Sequence, residues 1–339
     1  MIKETSGKST ENLLPFEFLD RELIMKREYS SSGKFGVQPE ERTTAEMLNY
    51  SIINIDKPAG ITSHQVSALV KDILEIDKAG HSGTLDPGVT GVLPIGVNKA
   101  TRIMQWLLTA GKEYVCLMHI HGDLDKNKII FEMKKFTGKL KQLPPVKSAV
   151  KREIRERNIY YVDIIDIDGR DVLFKIGTQA GTYIRKWVHD FGLVLGTNAH
   201  MVELRRTKAG PFNEENLTTL TDLKDAYYYY KEEGDDSALR RMLITPEKAV
   251  SHLKKIYVMD TTVNSLCHGA FLKVPGIVKL EKTIGKEDVV AVMTLKNELV
   301  LVGKAKMSSE DILREERGIA VQTEQVFMDA SLYPKIEKF

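Results

Sequence analysis

The hydrophobic pattern of the chain breaks at residues 81–94, which read HSGTLDPGVTGVLP. Three glycines and two prolines surround a single acidic residue, Asp86, so neither a helical nor an alternating period runs through the stretch. Pro87 fixes its own φ and keeps Asp86 in extended backbone. An isolated Asp-Pro-Gly would indicate an ordinary turn. With glycines on both sides, it predicts a stiff loop that presents one carboxylate.

The elements on both sides of this loop predict an α+β fold. A buried strand is expected at 51–55, and Thr62 or Ser63 can cap a helix with a continuous apolar stripe. Beyond the loop we expect a helix at 99–108, a strand at 113–121, a hairpin at 159–179, a helix at 183–195, a strand at 200–206 and helical residues at 222–245. Since these elements do not alternate strictly as βαβ, a mixed or antiparallel sheet is favoured over a doubly wound one.

Composition divides the chain into three segments. Residues 1–49 are polar and are predicted to be an extension that becomes ordered by packing on something else. Residues 50–250 carry the mixed helices and strands. From 251 to 335 the pattern changes to short strands, which predicts a separate small β-rich domain.

The overall composition limits the class of protein. The 339 residues are 42% hydrophobic and 28% charged, which fits a globular chain with a substantial core. With a formal net charge of +2, any nucleic-acid surface must come from local clustering. The two cysteines, Cys116 and Cys267, lie far apart, and no CxxC pair supports a zinc site. Since no signal peptide or membrane span stands out, we expect a cytoplasmic protein.

Basic side chains cluster in two places. Residues 134–157, here called the basic segment, hold nine Lys or Arg against two acids, a local charge of +7 that can neutralise several phosphates. A solvated charged loop is the alternative interpretation. Arg205, Arg206 and Lys208 form a second cluster. The basic segment is predicted to bind nucleic acid, and its candidate contacts include Lys147, Lys151, Arg152 and Arg155.

Four further motifs accompany the loop at 81–94. They read NIDKPAGITSH at 54–64, KEY at 112–114, GTYIR at 181–185 and LRRTKAGPF at 204–212. Together with the loop, and in this order, they resemble the motifs of the TruB family of pseudouridine synthases over about residues 50–250. HGAFLKVPGI at 268–277 resembles part of a PUA domain, an RNA-binding β-barrel. With the N-terminal extension, the arrangement is similar to the archaeal, dyskerin-like branch of the family.

The resemblance implies an enzyme that converts uridine to pseudouridine in RNA without a cofactor or a metal. In this interpretation Asp86 either attacks the anomeric carbon of the ribose or removes a proton from the adjacent sugar carbon, and both possibilities stay open. Arg185 is implied as the charge partner of Asp86, and Tyr114 as a group that stacks on the base or relays a proton. The implied substrate contacts are Tyr183, Leu204, Lys57 (which also supports the loop) and His81.

The same resemblance implies RNA contacts beyond the pocket. They are Arg205, Arg206, His268, Gly269 and Lys273. Members of this branch act as catalytic subunits of H/ACA ribonucleoproteins, in which a guide RNA selects the target uridine in rRNA and, in some cases, tRNA. The implied partners are guide RNA, target RNA, a small scaffold protein, a small β-barrel protein and a kink-turn-binding protein. Two alternatives stay open: a stand-alone tRNA pseudouridine synthase and a non-catalytic RNA-binding scaffold.

Overall fold

The computed structural model of the chain describes residues 12–144 and 151–335. Within these ranges the strands are β1 (Leu23–Met25), β2 (Ile52–Lys57), β3 (Ala79–His81), β4 (Thr90–Val97), β5 (Lys112–Ile120), β6 (Gly138–Gln142), β7 (Arg155–Asp168), β8 (Asp171–Thr178), β9 (Ala199–Ala209), β10 (Lys254–Val258), β11 (Leu272–Lys273), β12 (Ile277–Glu281), β13 (Val289–Thr294), β14 (Leu299–Ala305) and β15 (Ile319–Val326).

The α-helices of the same ranges are mostly short. They are α1 (Thr44–Asn49), α2 (Ser63–Ile73), α3 (Met104–Leu108), α4 (Lys126–Lys135), α5 (Ile184–Leu195), α6 (Leu220–Tyr228), α7 (Ser237–Met242), α8 (Pro246–Ala249), α9 (Asp260–Cys267) and α10 (Ser309–Arg314). No helix among the described residues is both long enough and apolar enough to cross a membrane.

The residues group into two compact units, one of which carries the motifs. Unit 1 contains the described residues of 1–18 together with 52–242. Its eight-stranded sheet has the order β2-β4-β9-β5-β8-β7-β6, with β3 paired to β4. The pairing of β4 with β9 is parallel, whereas the other strand pairs of this sheet are antiparallel. The predicted α+β class with a mixed sheet is therefore confirmed.

Unit 2 contains residues 19–51 and 243–335. Its seven-stranded sheet has the order β1-β12-β10-β13-β14-β15-β11, so a strand of the N-terminal extension joins the β-rich C-terminal region. Arg21 helps to fasten the extension there, because its guanidinium donates to the carboxylate of Glu281 and to the carbonyls of Ser251 and Leu253. Residues 19–49 of the extension are thus ordered by packing within unit 2, whereas the described residues of 1–18 belong to unit 1. The predicted segment boundaries after residues 49 and 250 stay predictions.

Helix α2 is stabilised by local interactions that the sequence alone indicates. The side chain of Thr62 accepts a hydrogen bond from the backbone amide of Gln65, and the side-chain oxygen of Gln65 accepts one from the backbone amide of Thr62. This capping box satisfies backbone donors at the helix start. Val66 and Val70 are completely buried on the inner face. The predicted helix is therefore confirmed with Thr62, not Ser63, as its cap.

The predicted loop was too long at its C-terminal end. Residues 90–97 form strand β4, in which Val92, Leu93, Ile95 and Val97 are all fully buried. A strand buried on both faces shows an apolar run instead of an alternating pattern, and its glycines and proline hid that run. The loop itself therefore spans only residues 82–89. Residues 98–103 form a 3₁₀-helix ahead of α3, where a longer α-helix was expected.

Candidate active site

The loop that carries Asp86 is fixed by its neighbours on both sides. Leu85 and Val89 are each 4% exposed and belong to the main hydrophobic core of unit 1. The backbone carbonyl of Asp86 accepts a hydrogen bond from the amide of Val89 at 3.0 Å, which closes a turn around Pro87. Asp86 itself is exposed. The loop therefore presents a carboxylate to solvent from a rigid base.

Arg185 supplies the charge that faces this carboxylate. Its Nη2 atom donates to Oδ2 of Asp86 at 2.5 Å, although 99 residues separate the two in sequence. Arg185 lies in the first turn of α5, whose inner face is held by completely buried Trp187 and Phe191. Both side chains of the pair are largely exposed, at 61% for Arg185 and 58% for Asp86. A surface ion pair of this kind adds little to stability, so its value lies in positioning.

Lys57 supports the loop from below. Its side chain is completely buried, and Nζ donates to the carbonyls of Pro58 at 2.9 Å, Pro87 at 3.1 Å and Val89 at 2.8 Å. Burial lowers the pKa of the Lys57 ammonium, and the nearby carboxylate of Asp86 opposes this shift. These contacts agree with the predicted support of the loop. They contradict direct substrate binding by Lys57, because no part of the side chain reaches solvent.

Ser63 is a second support that the sequence reading missed. Its hydroxyl accepts from the amide of Leu85 at 2.8 Å and approaches the carbonyl of the same residue at 3.2 Å. A serine beside a capping threonine reads as a second capping candidate, so its pattern alone did not reveal this contact. The hydroxyl joins the start of α2 to the residue that precedes Asp86.

Arg206 was predicted to contact RNA phosphate, and this prediction is wrong. The residue is only 1% exposed. Its Nε donates to the carbonyl of Val92 at 2.7 Å, and both Nη atoms donate to the carbonyl of Gly83 at 3.2 Å. Alternation along β9 turns this side chain inward, and a run of adjacent basic letters cannot show which member faces the core.

Arg205, on the opposite face of the strand, already has two carboxylate partners. Asp56 accepts from both Nη atoms, at 3.0 and 3.1 Å, and Glu214 accepts from Nε at 2.6 Å. Lys208 is likewise paired, with Glu17 at 2.9 Å. The second basic cluster of the sequence is therefore largely neutralised within unit 1, and phosphate binding by Arg205 stays a prediction.

Tyr114 and Leu204 lie beside the loop. Leu204, on β9, is 7% exposed and belongs to the same core cluster as Leu85 and Val89. Tyr114, on β5, is partly buried, packs against that cluster and is the cross-strand neighbour of Arg206. The structure thus brings the motif residues Asp86, Arg185, Leu204 and Tyr114 to one part of unit 1.

Tyr183 precedes α5 and is held through its backbone. The amide of Gln142 donates to the carbonyl of Tyr183 at 3.3 Å, and its oxygen accepts from the amide of Tyr183 at 3.1 Å. Gln142 is 3% exposed and ends strand β6, so it ties the start of α5 to the edge of the sheet. This contact, which the sequence reading missed, helps to orient Arg185.

His81 is half-buried, and side chains of the protein contact both of its ring nitrogens. Nδ1 lies 3.0 Å from the hydroxyl of Ser67, and Nε2 lies 3.4 Å from the hydroxyl of Thr84. Burial lowers the pKa of His81, and the charge of Arg206 adds to the shift. The shift favours the neutral form of the ring, and its proposed contact with substrate stays a prediction.

Lys112 is a further buried cation that the sequence reading missed. It is 5% exposed, and Nζ donates to the carbonyls of Leu107 and Leu108 at the end of α3 and to that of Ala110 just after it. Burial lowers the pKa of Lys112 to about 7, and Arg206 contributes to the shift. A lysine at the first position of a strand is usually solvated, so nothing in its sequence context predicted this environment.

The basic segment lies partly outside the described residues, and this includes Lys147. On the described part, Lys139 and Lys141 are exposed on β6, where they alternate with inward-facing residues. Lys151 and Arg152 are also exposed, and Lys151 forms an ion pair with Glu153. Arg155 is partly exposed at the start of β7. RNA contact by these side chains stays a prediction.

The predicted contacts of unit 2 lie on an exposed stretch. His268, Gly269 and Lys273 are all exposed, and Phe271 among them is 44% exposed. Gly269 has a φ of +86°, which favours glycine, and an added Cβ there would meet no other atom within 4 Å. The surface is therefore open to a ligand, and its RNA contacts stay predictions. Among the described residues, no group of three or more His, Cys, Asp or Glu side chains is arranged to hold a metal ion.

Models of known families place the chain among the enzymes that form pseudouridine. The model of the TruB family pseudouridylate synthase N-terminal domain matches residues 71–184, and that of the tRNA pseudouridylate synthase B C-terminal domain matches 185–251. The chain therefore belongs to the TruB family of pseudouridine synthases. A PUA domain model matches 254–327, and a DKCLD (NUC011) domain model matches 13–67. The resemblance to the dyskerin-like branch is thereby confirmed.

Relatives and solved structures match nearly the whole chain. The probable tRNA pseudouridine synthase B of Pyrococcus horikoshii is 54% identical over 96% of this chain and 97% of its own length. That of Methanopyrus kandleri is 53% identical over 95% of each. A chain in the crystal structure of a Cbf5-Nop10-Gar1 complex has a TM-score of 0.92 at 51% identity, with 96% of this chain and 99% of that one covered. A structure of an H/ACA ribonucleoprotein bound to a substrate RNA containing 2′-deoxyuridine gives a TM-score of 0.90 at 49% identity, with the same coverage.

Proposed function

We propose that this chain is the catalytic subunit of an H/ACA ribonucleoprotein that isomerises uridine to pseudouridine at positions selected by a guide RNA. The observation that carries the proposal is the match of 96% of the chain to a component of a Cbf5-Nop10-Gar1 complex, at a TM-score of 0.92. The DKCLD match at the N-terminal end and the PUA match at the C-terminal end agree with it.

The site has the groups that this isomerisation needs. The bond between the anomeric carbon and N1 of uracil must break, the base must turn, and a bond to C5 must form. C5 then loses its proton and N1 takes one up, so that the product is an isomer of uridine. Asp86 is the carboxylate that attacks the anomeric carbon or abstracts the adjacent sugar proton, and one exposed carboxylate serves either route. Arg185 holds it in place through a charge-assisted hydrogen bond.

The remaining pocket residues have supporting roles. Tyr114 provides a ring to stack on the base and a hydroxyl to relay its proton. Leu204 and Tyr183 form the apolar floor, and His81 helps to displace the target base. A uridine must leave its base stack to reach Asp86, and the exposure of the carboxylate allows this approach. Lys57 acts through the loop and not on the substrate.

RNA would be held on two surfaces. Exposed lysines of the basic segment, Lys139 and Lys141 among them, supply phosphate contacts that position RNA without reading its sequence. In unit 2, the exposed stretch that contains His268, Gly269 and Lys273 anchors the guide RNA. Base pairing between guide and target then selects the uridine.

The proposal includes protein partners and a compartment. The complexes that match this chain contain Nop10 and Gar1, so we infer equivalent partners here, together with a kink-turn-binding protein. Both cysteines are free, which suits the reducing conditions of the cytoplasm, where we place the protein.

A second candidate is a synthase that acts on tRNA without a guide. The curated relatives carry the name probable tRNA pseudouridine synthase B, and this favours tRNA as one substrate. The two activities share the chemistry of Asp86 and differ only in how the target is chosen.

Mapping of pseudouridine separates these functions. The purified chain is incubated with a bare tRNA transcript and, together with its partner proteins, with a guide–target RNA pair. We expect modification of the paired uridine to depend on the guide. Equal modification of bare tRNA with no gain from a guide would favour the stand-alone enzyme, and no product on either RNA would leave only a binding scaffold.

A further inference from the structure

Arg206 is a buried cation without a carboxylate partner. None of the ion pairs formed by residues 12–144 and 151–335 includes it, and it is 1% exposed. A buried guanidinium is costly unless its N–H groups are satisfied. Here backbone carbonyls take that role, since Nε donates to Val92 and both Nη atoms donate to Gly83. The remaining free-energy cost of burying this charge must be offset by a gain in the stability of the fold or in the rate of the reaction.

The two carbonyls lie on either side of Asp86 in sequence. Gly83 precedes the carboxylate in the loop, and Val92 follows it in β4. The strand that carries Arg206 also lies very close to β4, because an added Cβ on Gly91 would fall 2.2 Å from the carbonyl oxygen of Arg206. The guanidinium therefore fastens both ends of the loop to β9.

Tyr114 is the third contact of the same guanidinium. It is paired with Arg206 across β5 and β9. Burial lowers the pKa of Arg206, and the neighbouring Tyr114 opposes this shift. Arginine has only donors, so in a hydrogen bond between the two side chains the oxygen of Tyr114 must accept. The phenolic proton then points away from Arg206 and stays available to another acceptor.

We propose that Arg206 is a positioning residue for pseudouridine formation, which holds the loop of Asp86 and orients the hydroxyl of Tyr114 so that it gives its proton to N1 of the detached uracil and recovers one from C5. This inference rests on the proposed function. It explains why a buried, unpaired charge is retained: one rigid group sets the relative position of two reacting side chains. A lysine keeps the charge but lacks the planar fork that reaches the carbonyls of both Val92 and Gly83.

A double-mutant cycle tests the proposal. Arg206→Lys, Tyr114→Phe and the double variant are assembled with guide and target RNA, and conversion is followed in single turnover at saturating enzyme. RNA affinity is measured separately. Arg170→Lys is the matched control, because it makes the same change at an exposed arginine that pairs with Asp123 away from the motifs. Should Arg206→Lys fail to fold, Arg206→Gln, which retains two N–H donors, enters the same cycle.

We expect Arg206→Lys to lower the conversion rate about 100-fold at nearly unchanged RNA affinity, as misplacement of a reacting group does. In the Tyr114→Phe background the same change should have a much smaller effect, because the hydroxyl to be oriented is gone. A conversion rate near that of the wild type, or losses that multiply fully in the double variant, would overturn the proposal. If the wild-type complex makes no pseudouridine, the proposed function fails instead, so the two failures are distinguishable.

Discussion

Replacing Arg185 with alanine should slow pseudouridine formation severely and leave unit 1 nearly as stable as before. The ion pair with Asp86 is exposed on both sides, at 61% and 58%. Measured exposed pairs contribute about 0–1 kcal/mol to folding, because solvent screens the charges and two flexible side chains must be ordered. The expected loss of stability in Arg185→Ala is therefore below about 1 kcal/mol.

The expected loss in catalysis is larger. The short hydrogen bond from Nη2 fixes the carboxylate that we propose reacts with the ribose. Removal of one preorganised donor from a reacting group typically slows an enzyme by about 100- to 1000-fold, equivalent to about 3–4 kcal/mol. A large loss of rate with a small loss of stability identifies a functional ion pair, because loss of a purely structural pair would lower the rate and the stability to a comparable degree.

Two measurements on the same samples test this. Both tryptophans of the chain, Trp106 and Trp187, lie in unit 1, so their fluorescence during urea unfolding reports on that unit. Single-turnover conversion of a guide–target pair gives the rate. Arg170→Ala is the matched control, since Arg170 and Asp123 form an exposed pair away from the motifs, with N–O distances of 2.7 and 2.9 Å. It should change neither quantity. A wild-type rate in Arg185→Ala, or a fall in stability that matches the fall in rate, would refute the reasoning.

Three further outcomes follow from the buried and exposed lysines. Lys57→Met removes the donor to two loop carbonyls and to that of Pro58, and it should destabilise unit 1 by about 3 kcal/mol in urea unfolding; an unchanged midpoint would contradict its supporting role. Since the pKa of Lys112 falls to about 7 in the folded chain, the unfolded chain binds more protons above pH 7, and stability should rise by about 1 kcal/mol per unit between pH 7 and pH 9. Lys112→Met should not show this rise. If the free energy of unfolding changed with pH in the same way in both proteins, the lowered pKa of Lys112 would be contradicted. Joint Lys139→Gln and Lys141→Gln substitution should reduce the slope of log RNA affinity against log salt by about 1.4. The same joint change at Lys71 and Lys224, two exposed lysines outside the basic segment, should leave the slope unaltered. An unaffected slope in the first variant would show that the basic segment is not part of the RNA surface.

Local signals in the sequence were sufficient for several elements. The capping box at Thr62 and the apolar stripe of α2 act within one helix, so they predict it without knowledge of the rest. The Asp168-Gly169 turn between two β-rich runs likewise predicted the hairpin of β7 and β8, and Gly169 has a φ of +57°. The pair of Asp86 with Arg185 followed from the motifs and not from their spacing.

Other features depend on the tertiary structure and left no local signal. Strand β4 is buried on both faces, so glycine and proline masked it. Strand β1 exists because β12 offers it an edge, and a polar extension does not reveal such a partner. The contrast between Arg205 and Arg206 is the clearest case, because two identical neighbours have opposite environments once β9 fixes which one points inward.

Substitution of Asp86 by asparagine removes the proposed reacting carboxylate with the least change in shape. The variant and the wild-type chain are each assembled with partner proteins, guide and target RNA, and pseudouridine is mapped at the paired uridine while RNA affinity is determined in parallel. We predict no detectable pseudouridine from Asp86→Asn and RNA affinity close to that of the wild type. Wild-type conversion by this variant would contradict the assignment of Asp86 as the reacting group.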